Sequence, residues 1–140
     1  MILTELFHIR ELQGQIIDMR DHVDTLRHSL YGHGIRYDSQ KAASAAGDIL
    51  SDRMSVICDK DRVIRRRQRR LDARKENVRH YLRQLDNPDY ALALDLFYLS
   101  VNDRGRLLTW ADVAKIMGRS RDYVQKVIHY RALDKLNNIL

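Results

Sequence analysis

The chain has 140 residues, a formal net charge of +6 and a charged fraction of 31%, with one proline, one cysteine and six glycines. This composition indicates an all-α protein of one modest domain, or of a small domain joined to an extended helical segment. Cys58 alone excludes an intramolecular disulfide, no apolar run approaches the roughly 20 residues of a membrane span, and the first residues lack signal-peptide features, so we expect an intracellular protein without a membrane partner.

The first predicted helix runs from Ile2 to about Leu30. After Ile9 its apolar residues alternate by three and four positions, which is the spacing of a coiled-coil seam, and only Glu5 interrupts the pattern. The predicted seam comprises Ile2, Ile9, Leu12, Ile16, Met19, Val23, Leu26 and Leu30. The helix therefore needs a partner that covers this seam.

A linker is predicted over residues 31–44, because the periodicity is lost there and two glycines flank His33. The second helix then has an apolar residue at every seventh position, namely Leu50, Ile57, Ile64, Leu71, Val78 and Leu85. Such a repeat keeps one helix edge facing a partner helix. Three intervening seam positions are the polar residues Asp61, Gln68 and Lys75, so we predict that the middle of this coil is less stable than its ends.

Two partners suit the seam: the first helix in an antiparallel hairpin, or a second copy of the chain, which would give a homodimer through the N-terminal coil. Residues 60–86 contain 11 Lys and Arg against 4 Asp and Glu, which is a candidate footprint for a polyanion or simply a solvated face. In the hairpin, Glu5 and Glu11 would face residues 67–74. Arg79 and Arg83 would lie beyond them and are predicted to contact phosphate.

A domain boundary is predicted at Asn87 and Pro88, where Asn suits the N-cap and Pro the first helical position. We therefore divide the chain into a helical hairpin or coiled-coil region over residues 1–86 and a DNA-binding domain over residues 87–140. The apolar helix from Pro88 to about Val101 would form the platform of the second domain. Residues 102–106 read as a turn.

The window from Thr109 to Val127 has the packing pattern of a helix-turn-helix. Thr109 and Ser120 stand where N-caps belong, so helices would begin at Trp110 and Arg121. Between them, Gly118 suits the left-handed position that ends a helix. Ala114 is small where the helices would cross, and the predicted apolar seam consists of Val113, Met117, Val124 and Val127. An ordinary helical hairpin with the same residues is the alternative interpretation.

The second helix of this window has a polar face typical of DNA readers. At 100° per residue, one face carries Arg121, Asp122, Gln125, Lys126 and His129, which we predict to read bases. Arg pairs with guanine, Gln with adenine, and Asp accepts from cytosine. We predict phosphate contacts from Arg119, Ser120 and Tyr123, although a helical wheel drawn at 100° per residue places Tyr123 on the face toward the core.

Residues 86–136 resemble region four of the sigma-70 class of sigma factors, through the Trp-led helix with a central Ala, the Gly118-Arg119-Ser120 turn and the closing Ala132-Leu133 pair. The wider layout, with Tyr37-Asp38 and residues 44–48 before a long charged helix, is similar to phage late-gene activators of the RinA and ArpU type. This resemblance implies a regulator of packaging and structural genes that acts with host RNA polymerase in the bacterial cytoplasm.

Nothing in the sequence indicates an enzyme, a metal site or a cofactor. Its six histidines and Cys58 do not have a metal-ligand spacing, and no phosphate loop or nucleophile motif is present. Two other interpretations stay open besides a transcriptional activator. A phage terminase small subunit would assemble as a ring and recognise a packaging site, whereas a coiled-coil protein-interaction module would bind DNA only non-specifically.

Overall fold

The structure is a computed structural model that describes residues 2–32 and 40–139, without the side chains of residues 31, 32, 40–46 and 48. The described helices are α1 (Ile2–Gly32), α2 (Gln40–Leu82), α3 (Pro88–Leu94), α4 (Trp110–Met117), α5 (Arg121–Tyr123) and α6 (His129–Ile139). Two π-helical turns complete the set: π1 (Asp95–Leu99) follows α3, and π2 (Val124–Ile128) joins α5 to α6. The predicted all-α class is confirmed.

Strand pairing in the described residues is limited to one antiparallel bridge between Val101 and Leu107. Both long helices extend into the predicted linker, since α1 reaches Gly32 and α2 begins at Gln40. Residues 33–39, including the predicted loop residue His33 and the Tyr37-Asp38 pair, lie outside the described residues. Within the described part of the chain, no helix combines the length and apolar character that crossing a membrane requires.

The chain divides into two compact units, which we call the central unit (residues 16–68) and the terminal unit (residues 1–15 and 69–140). This division differs from the predicted boundary after residue 86. The first turns of α1 and the last turns of α2 belong with the C-terminal helices, because Arg10 donates to the Phe97 and Leu108 carbonyls and Arg79 donates to Asp95.

In the central unit, α1 and α2 pack antiparallel. Arg20 donates to Gln68 at 3.2 Å and Arg27 forms an ion pair with Asp61, so the partner number falls as the α1 number rises. The buried apolar residues of this unit are Ile16, Ile17, Val23, Leu30, Ile57 and Ile64. The seam predicted for α2 is therefore covered here by α1 of the same chain.

In the terminal unit, the first turns of α1 and the end of α2 are also paired as antiparallel helices. Arg74 donates through Nε and Nη2 to the two carboxylate oxygens of Glu5 at 2.7 and 2.8 Å, and this partner holds the pKa of Glu5 below its usual range. Lys75 donates to Gln13 at 2.6 Å, and both side chains are buried. The polar seam positions Asp61, Gln68 and Lys75 thus each have a polar α1 partner.

The buried face of α1 differs in part from the predicted seam. Leu12, Met19 and Leu26 are only half-buried, whereas Leu6 and Gln13 occupy the interior. From Ile2 to Ile16, the buried positions of α1 are spaced alternately by four and three residues. Leu6 is therefore buried at the point where Glu5 interrupts the predicted seam. On α2, the predicted residues Ile57, Ile64, Leu71 and Val78 are buried and Leu50 is half-buried, whereas the half-buried Leu85 lies beyond the end of the helix at Leu82.

The C-terminal helices enclose an apolar core. Its buried members are Ala93, Leu108, Val113, Ala114, Val124 and Ile128, and Tyr90, Leu96, Phe97, Trp110 and Met117 pack against them. The core thus includes Val113, Met117 and Val124 of the predicted seam, while Val127 is half-buried. The helix predicted from Pro88 to about Val101 is helical as far as Leu99, with α3 continuing into the π-turn π1 at Asp95.

Candidate nucleic-acid interface

The start of α4 is fixed by a capping box. The Thr109 side chain accepts from the Asp112 backbone N–H at 3.2 Å, and the Asp112 carboxylate accepts from the Thr109 N–H at 3.0 Å. These bonds satisfy two backbone N–H groups at the helix start. They also lower the pKa of Asp112. The predicted N-cap at Thr109 is therefore confirmed, and the helix direction is set by local chemistry.

The turn between α4 and α5 is equally well defined. Gly118 has φ 68° and ψ 31°, the left-handed conformation that a side chain would strain, and its N–H returns to the last turn of α4. Ser120 then caps α5 by accepting the Tyr123 N–H at 3.3 Å. Both predicted positions are confirmed, so α5 leaves the turn in a fixed direction.

The chain from α5 to α6 is one continuous helical segment with a π-turn inside it. Its buried residues follow at intervals of four, through Val124, Ile128, Ala132 and Leu136. A uniform α-helix would drift away from such a row, whereas the wider π-turn, with its i to i+5 hydrogen bonds, returns the row to the core. The inward face of this segment is therefore different from the face that a uniform wheel predicts.

Four of the five predicted base-reading residues lie at the first turns of this segment. Arg121, Asp122 and Lys126 are exposed, and Gln125 is half-buried. Tyr123, which the wheel turned toward the core, is 43% exposed. The segment thus offers two cations, a carboxylate, an amide and a phenol to the solvent, backed by the buried Val124 and Ile128.

His129 lies apart from these residues, because its half-buried ring contacts the aromatic side chains of π1 and α4. Its Nε2 atom lies 2.7 Å from the Tyr98 hydroxyl, and its ring centroid lies 4.5 Å from that of Trp110. Burial lowers the pKa of His129, and a hydrogen bond to the Gln125 backbone opposes this effect. The π-turn Val124–Ile128 immediately precedes His129, so the residues after it do not keep the phase of a uniform α-helix.

The aromatic cluster around His129 joins π1 to α4. Phe97 stacks on Trp110 with the ring centroids 3.9 Å apart and an angle of 9° between planes, and it meets Tyr98 edge-on at 5.0 Å. Tyr98 is 2% exposed, and burial raises its pKa to about 12. This neutral phenol is well suited to donate to His129. Through His129, the first residue of α6, the cluster packs against the start of that helix.

Arg10 of α1 completes this cluster, and sequence analysis missed it. Its guanidinium lies 3.7 Å from the Phe97 ring centroid, donates to the Phe97 carbonyl, and donates to the Leu108 carbonyl at 3.0 Å. Burial lowers the pKa of Arg10. No motif or spacing marks Arg10 among the cations of the chain. Its role arises from tertiary contacts with carbonyls 87 and 98 positions away.

The predicted phosphate-binding residues have partners of their own in the structure. Arg119 donates to Asp89 at 3.0 Å and lies 5.8 Å from the Tyr123 ring centroid. The Ser120 hydroxyl serves as the N-cap of α5. Arg119 and Tyr123 stay partly exposed beside Arg121, so this side of the segment keeps a cationic and aromatic edge.

Arg79 and Arg83 are held by carboxylates of the terminal unit. Arg79 donates to Asp95 at 3.2 Å, and Arg83 donates to Glu76 at 2.9 Å. The Arg79 side chain is 33% exposed and that of Arg83 is 67% exposed. A phosphate would have to compete with these carboxylates, and Arg83 is the more accessible of the two.

In the part of the chain that the structure describes, no group of three or more His, Cys, Asp or Glu side chains is placed to hold a metal ion. Comparison with family models, with curated proteins and with solved structures found no match for this chain. The interface is therefore interpreted from its own geometry and chemistry.

Proposed function

We propose that this chain is a sequence-specific DNA-binding regulator of transcription, in which α4, the Gly118 turn and the α5 to α6 segment act as a helix-turn-helix. The observation that carries the proposal is the exposed polar face at the start of that segment, held in place by caps on both helices and by the apolar core. A reading helix needs this combination of rigid backing and free hydrogen-bonding groups.

The chemistry of the exposed groups supports base reading. Arg121 can form two parallel hydrogen bonds with guanine, Gln125 can do so with adenine, and Asp122 can accept from cytosine. Lys126 can hold a guanine edge or a phosphate. We therefore keep these four residues as the proposed base-reading set and omit His129, because its ring lies in the aromatic cluster.

Phosphate contacts would position the segment on the duplex. Arg119 and Tyr123 lie at its edge, and the exposed Arg83 can add charge from the end of α2. Such contacts carry no sequence information and would make the affinity depend on salt concentration. Arg79 is the weakest member of the predicted set, since its side chain is two-thirds covered and already paired with Asp95.

The biological setting that we propose follows from the resemblance to late-gene activators of phages. The chain would act in the bacterial cytoplasm at a promoter of packaging or structural genes and would assist host RNA polymerase there. The site that the protein selects distinguishes this role from that of a terminase small subunit, because a promoter and a packaging site lie at different places in a phage genome.

The decisive experiment is selection of bound fragments from the source genome at moderate salt. The wild type is compared with an Arg121, Gln125 and Lys126 triple-Ala variant and with Lys115→Ala, which removes one exposed charge from α4. We expect the wild type and Lys115→Ala to enrich the same site and the triple variant to lose it. Equal enrichment by all three proteins would contradict the proposal.

Single substitutions then separate base reading from charge. We expect Arg121→Ala to lose about 1–3 kcal/mol of affinity at the selected site and much less on random DNA. Arg119→Ala should weaken binding to both kinds of DNA alike. If Arg121→Ala weakens the two kinds of DNA equally, Arg121 is not a base reader.

A further inference from the structure

The central unit carries two clefts between α1 and α2, which we call the groove. A cleft of 390 Å³ is lined there by Leu26, Ser29, Leu30, Asp52, Arg53, Val56 and Ile57. A second cleft of 260 Å³ is lined by Asp18, Met19, His22, Val23, Lys60 and Ile64. A step of seven residues, backward along α1 and forward along α2, takes five of the residues that line the first cleft to residues that line the second. Since seven residues are nearly two full turns, both clefts open on the same side.

A row of apolar residues borders this groove on α2. Ile49 is 54% exposed, Val56 is 49% exposed, and Val63 is half-buried. They are spaced seven apart, beside the buried Ile57 and Ile64. Two adjacent apolar stripes on one helix are more than a single antiparallel partner covers, and the second stripe is typical of a helix that packs against two neighbours.

We propose that a second copy of this chain docks against this face. The two copies would be related by a two-fold axis near Val56, so that their α2 helices run antiparallel and the row from Ile49 to Val63 of each copy enters the groove of the other. The result is a four-helix bundle made of two α1 and α2 pairs. This arrangement is isologous, as in most homodimers.

The charges beside the row decide between the possible directions. In the antiparallel arrangement centred on Val56, Asp52 faces Lys60 of the second copy, and Arg53 faces Asp59 of the second copy. Ile49 then faces Val63 of the second copy. In a parallel arrangement each of these residues would face its own equivalent, so Asp would oppose Asp and Arg would oppose Arg. The antiparallel dimer therefore places opposite charges together, and the parallel one like charges.

The same rim makes a nucleic acid a poor occupant of the groove. Asp18 and Asp52 stand on it beside Arg53 and Lys60, and the floor is apolar. A polyanion binds best to a surface that is positively charged throughout. A second copy carries the same mixed charges, and a two-fold axis places its positive side chains opposite the negative ones of the first copy. A dimer also places two reading segments in one particle, although its formation does not depend on the proposed DNA binding.

The first test is the mass of the full chain in solution, measured by light scattering on a sizing column over a wide range of concentrations. The wild type should have twice the 16.5 kDa of one chain. Val56→Glu should shift the protein to the monomer, with a dissociation constant raised at least about tenfold. The matched control Ser55→Glu adds the same charge at an exposed neighbour that lines neither cleft, and it should stay dimeric.

A charge exchange tests the direction of pairing. Arg53→Asp alone and Asp59→Arg alone each place like charges together, and both should weaken the dimer. The double variant restores an opposite pair on both sides of the axis and should recover the dimer. Circular dichroism confirms that each variant keeps its helix content. A monomeric wild type, a larger ring, or a double variant weaker than both single variants would overturn the proposal. Because none of these measurements uses DNA, their outcome is separate from that of the fragment selection.

Discussion

The interiors of the two helical regions are built differently. Where α1 pairs with α2, polar pairs one heptad apart accompany the buried apolar residues; Gln13 with Lys75 is buried, whereas Arg20 with Gln68 lies at the exposed edge. The core beneath α4 and α5 is a cluster of apolar side chains with an aromatic stack beside it. A polar pair inside a seam contributes little net stability but discriminates strongly between alternative registers, whereas an apolar core contributes stability and rigidity.

This difference matches what each region has to do. The long helices can slide by one heptad without changing their apolar pattern, so they need polar pairs to select one alignment. Under the proposed function, the C-terminal helices hold Arg121 and Lys126 in a fixed position, and a closely packed core suits that role. Arg10 enters that core as a cation, but its charge is satisfied by two carbonyls and an aromatic face.

The largest effect is expected in the buried core of the terminal unit, at Leu94 of α3. Leu94→Ala removes a side chain that is fully buried, and it should lower the free energy of unfolding by about 2–5 kcal/mol. Leu92→Ala on the same helix is the matched control, because Leu92 is 42% exposed and should cost much less. Chemical denaturation monitored by circular dichroism measures both. Equal losses for the two variants would mean that the core is not packed as described.

A smaller effect is expected in the seam. Gln13→Leu leaves the buried Lys75 without that amide oxygen and should cost about 1–3 kcal/mol. The double variant with Lys75→Leu replaces the pair by apolar groups and should recover most of this loss. Denaturation of the single and double variants forms the test. A double variant that loses as much as the sum of both single variants would show that the pair does not act as a unit.

The left-handed backbone at Gly118 should contribute about 1–2 kcal/mol to the free energy of unfolding, compared with a residue that has a side chain. Gly118→Ala forces a side chain into the left-handed region at φ 68° and should destabilise the protein by that amount. Gly47→Ala is the opposite control, because Gly47 lies inside α2 with open space around its Cα and alanine favours helix there. Thermal unfolding should move down for the first variant and up for the second. A rise for both would contradict the left-handed turn.

The smallest effect concerns pH. Burial lowers the pKa of His129 below its ordinary value of 6.5, so the folded protein prefers the neutral ring. As the pH falls through about 6.5, the unfolded chain takes up a proton first, and stability decreases until the lower folded pKa is passed. Replacing His129 by Gln should flatten the dependence of the unfolding free energy on pH between neutral pH and the more acidic range in which Glu5 and Asp112, whose pKa values are lowered, take up protons. An unchanged slope would show that His129 is not the group responsible.

Local signals in the sequence predicted the ends of the helices well. Asn87, Thr109 and Ser120 accept backbone N–H groups at helix starts as expected, and Gly118 adopts the left-handed conformation. These features depend on a few adjacent residues, so they can be read from the chain directly. The polar face at Arg121 and Lys126 follows from equally local signals, since Arg121 precedes the π-turn and Lys126 lies within its first residues, where the phase has shifted little.

Beyond the π-turn, a helical wheel drawn at 100° per residue does not give the phase of the helix, and the contact of His129 with Tyr98 could not be predicted from it. The α1 interior shows a related limit, because the apolar spacing alone did not place Leu6 and Gln13 inside and Leu12 at the edge. The partner of each polar seam residue could not be predicted either. Such details depend on which helix lies opposite and in which register, and that is a property of long-range packing.

The sequence by itself determined the all-α class, the caps, the left-handed turn and the chemical nature of the exposed face, because each follows from side chains within a few residues of one another. Only the tertiary structure decided which cations remain available. It placed Arg10 on Phe97, paired Arg79 with Asp95, and turned His129 to Tyr98. Those partners lie between 16 and 87 positions away along the chain, and the free energy of each contact depends on burial that no local pattern encodes.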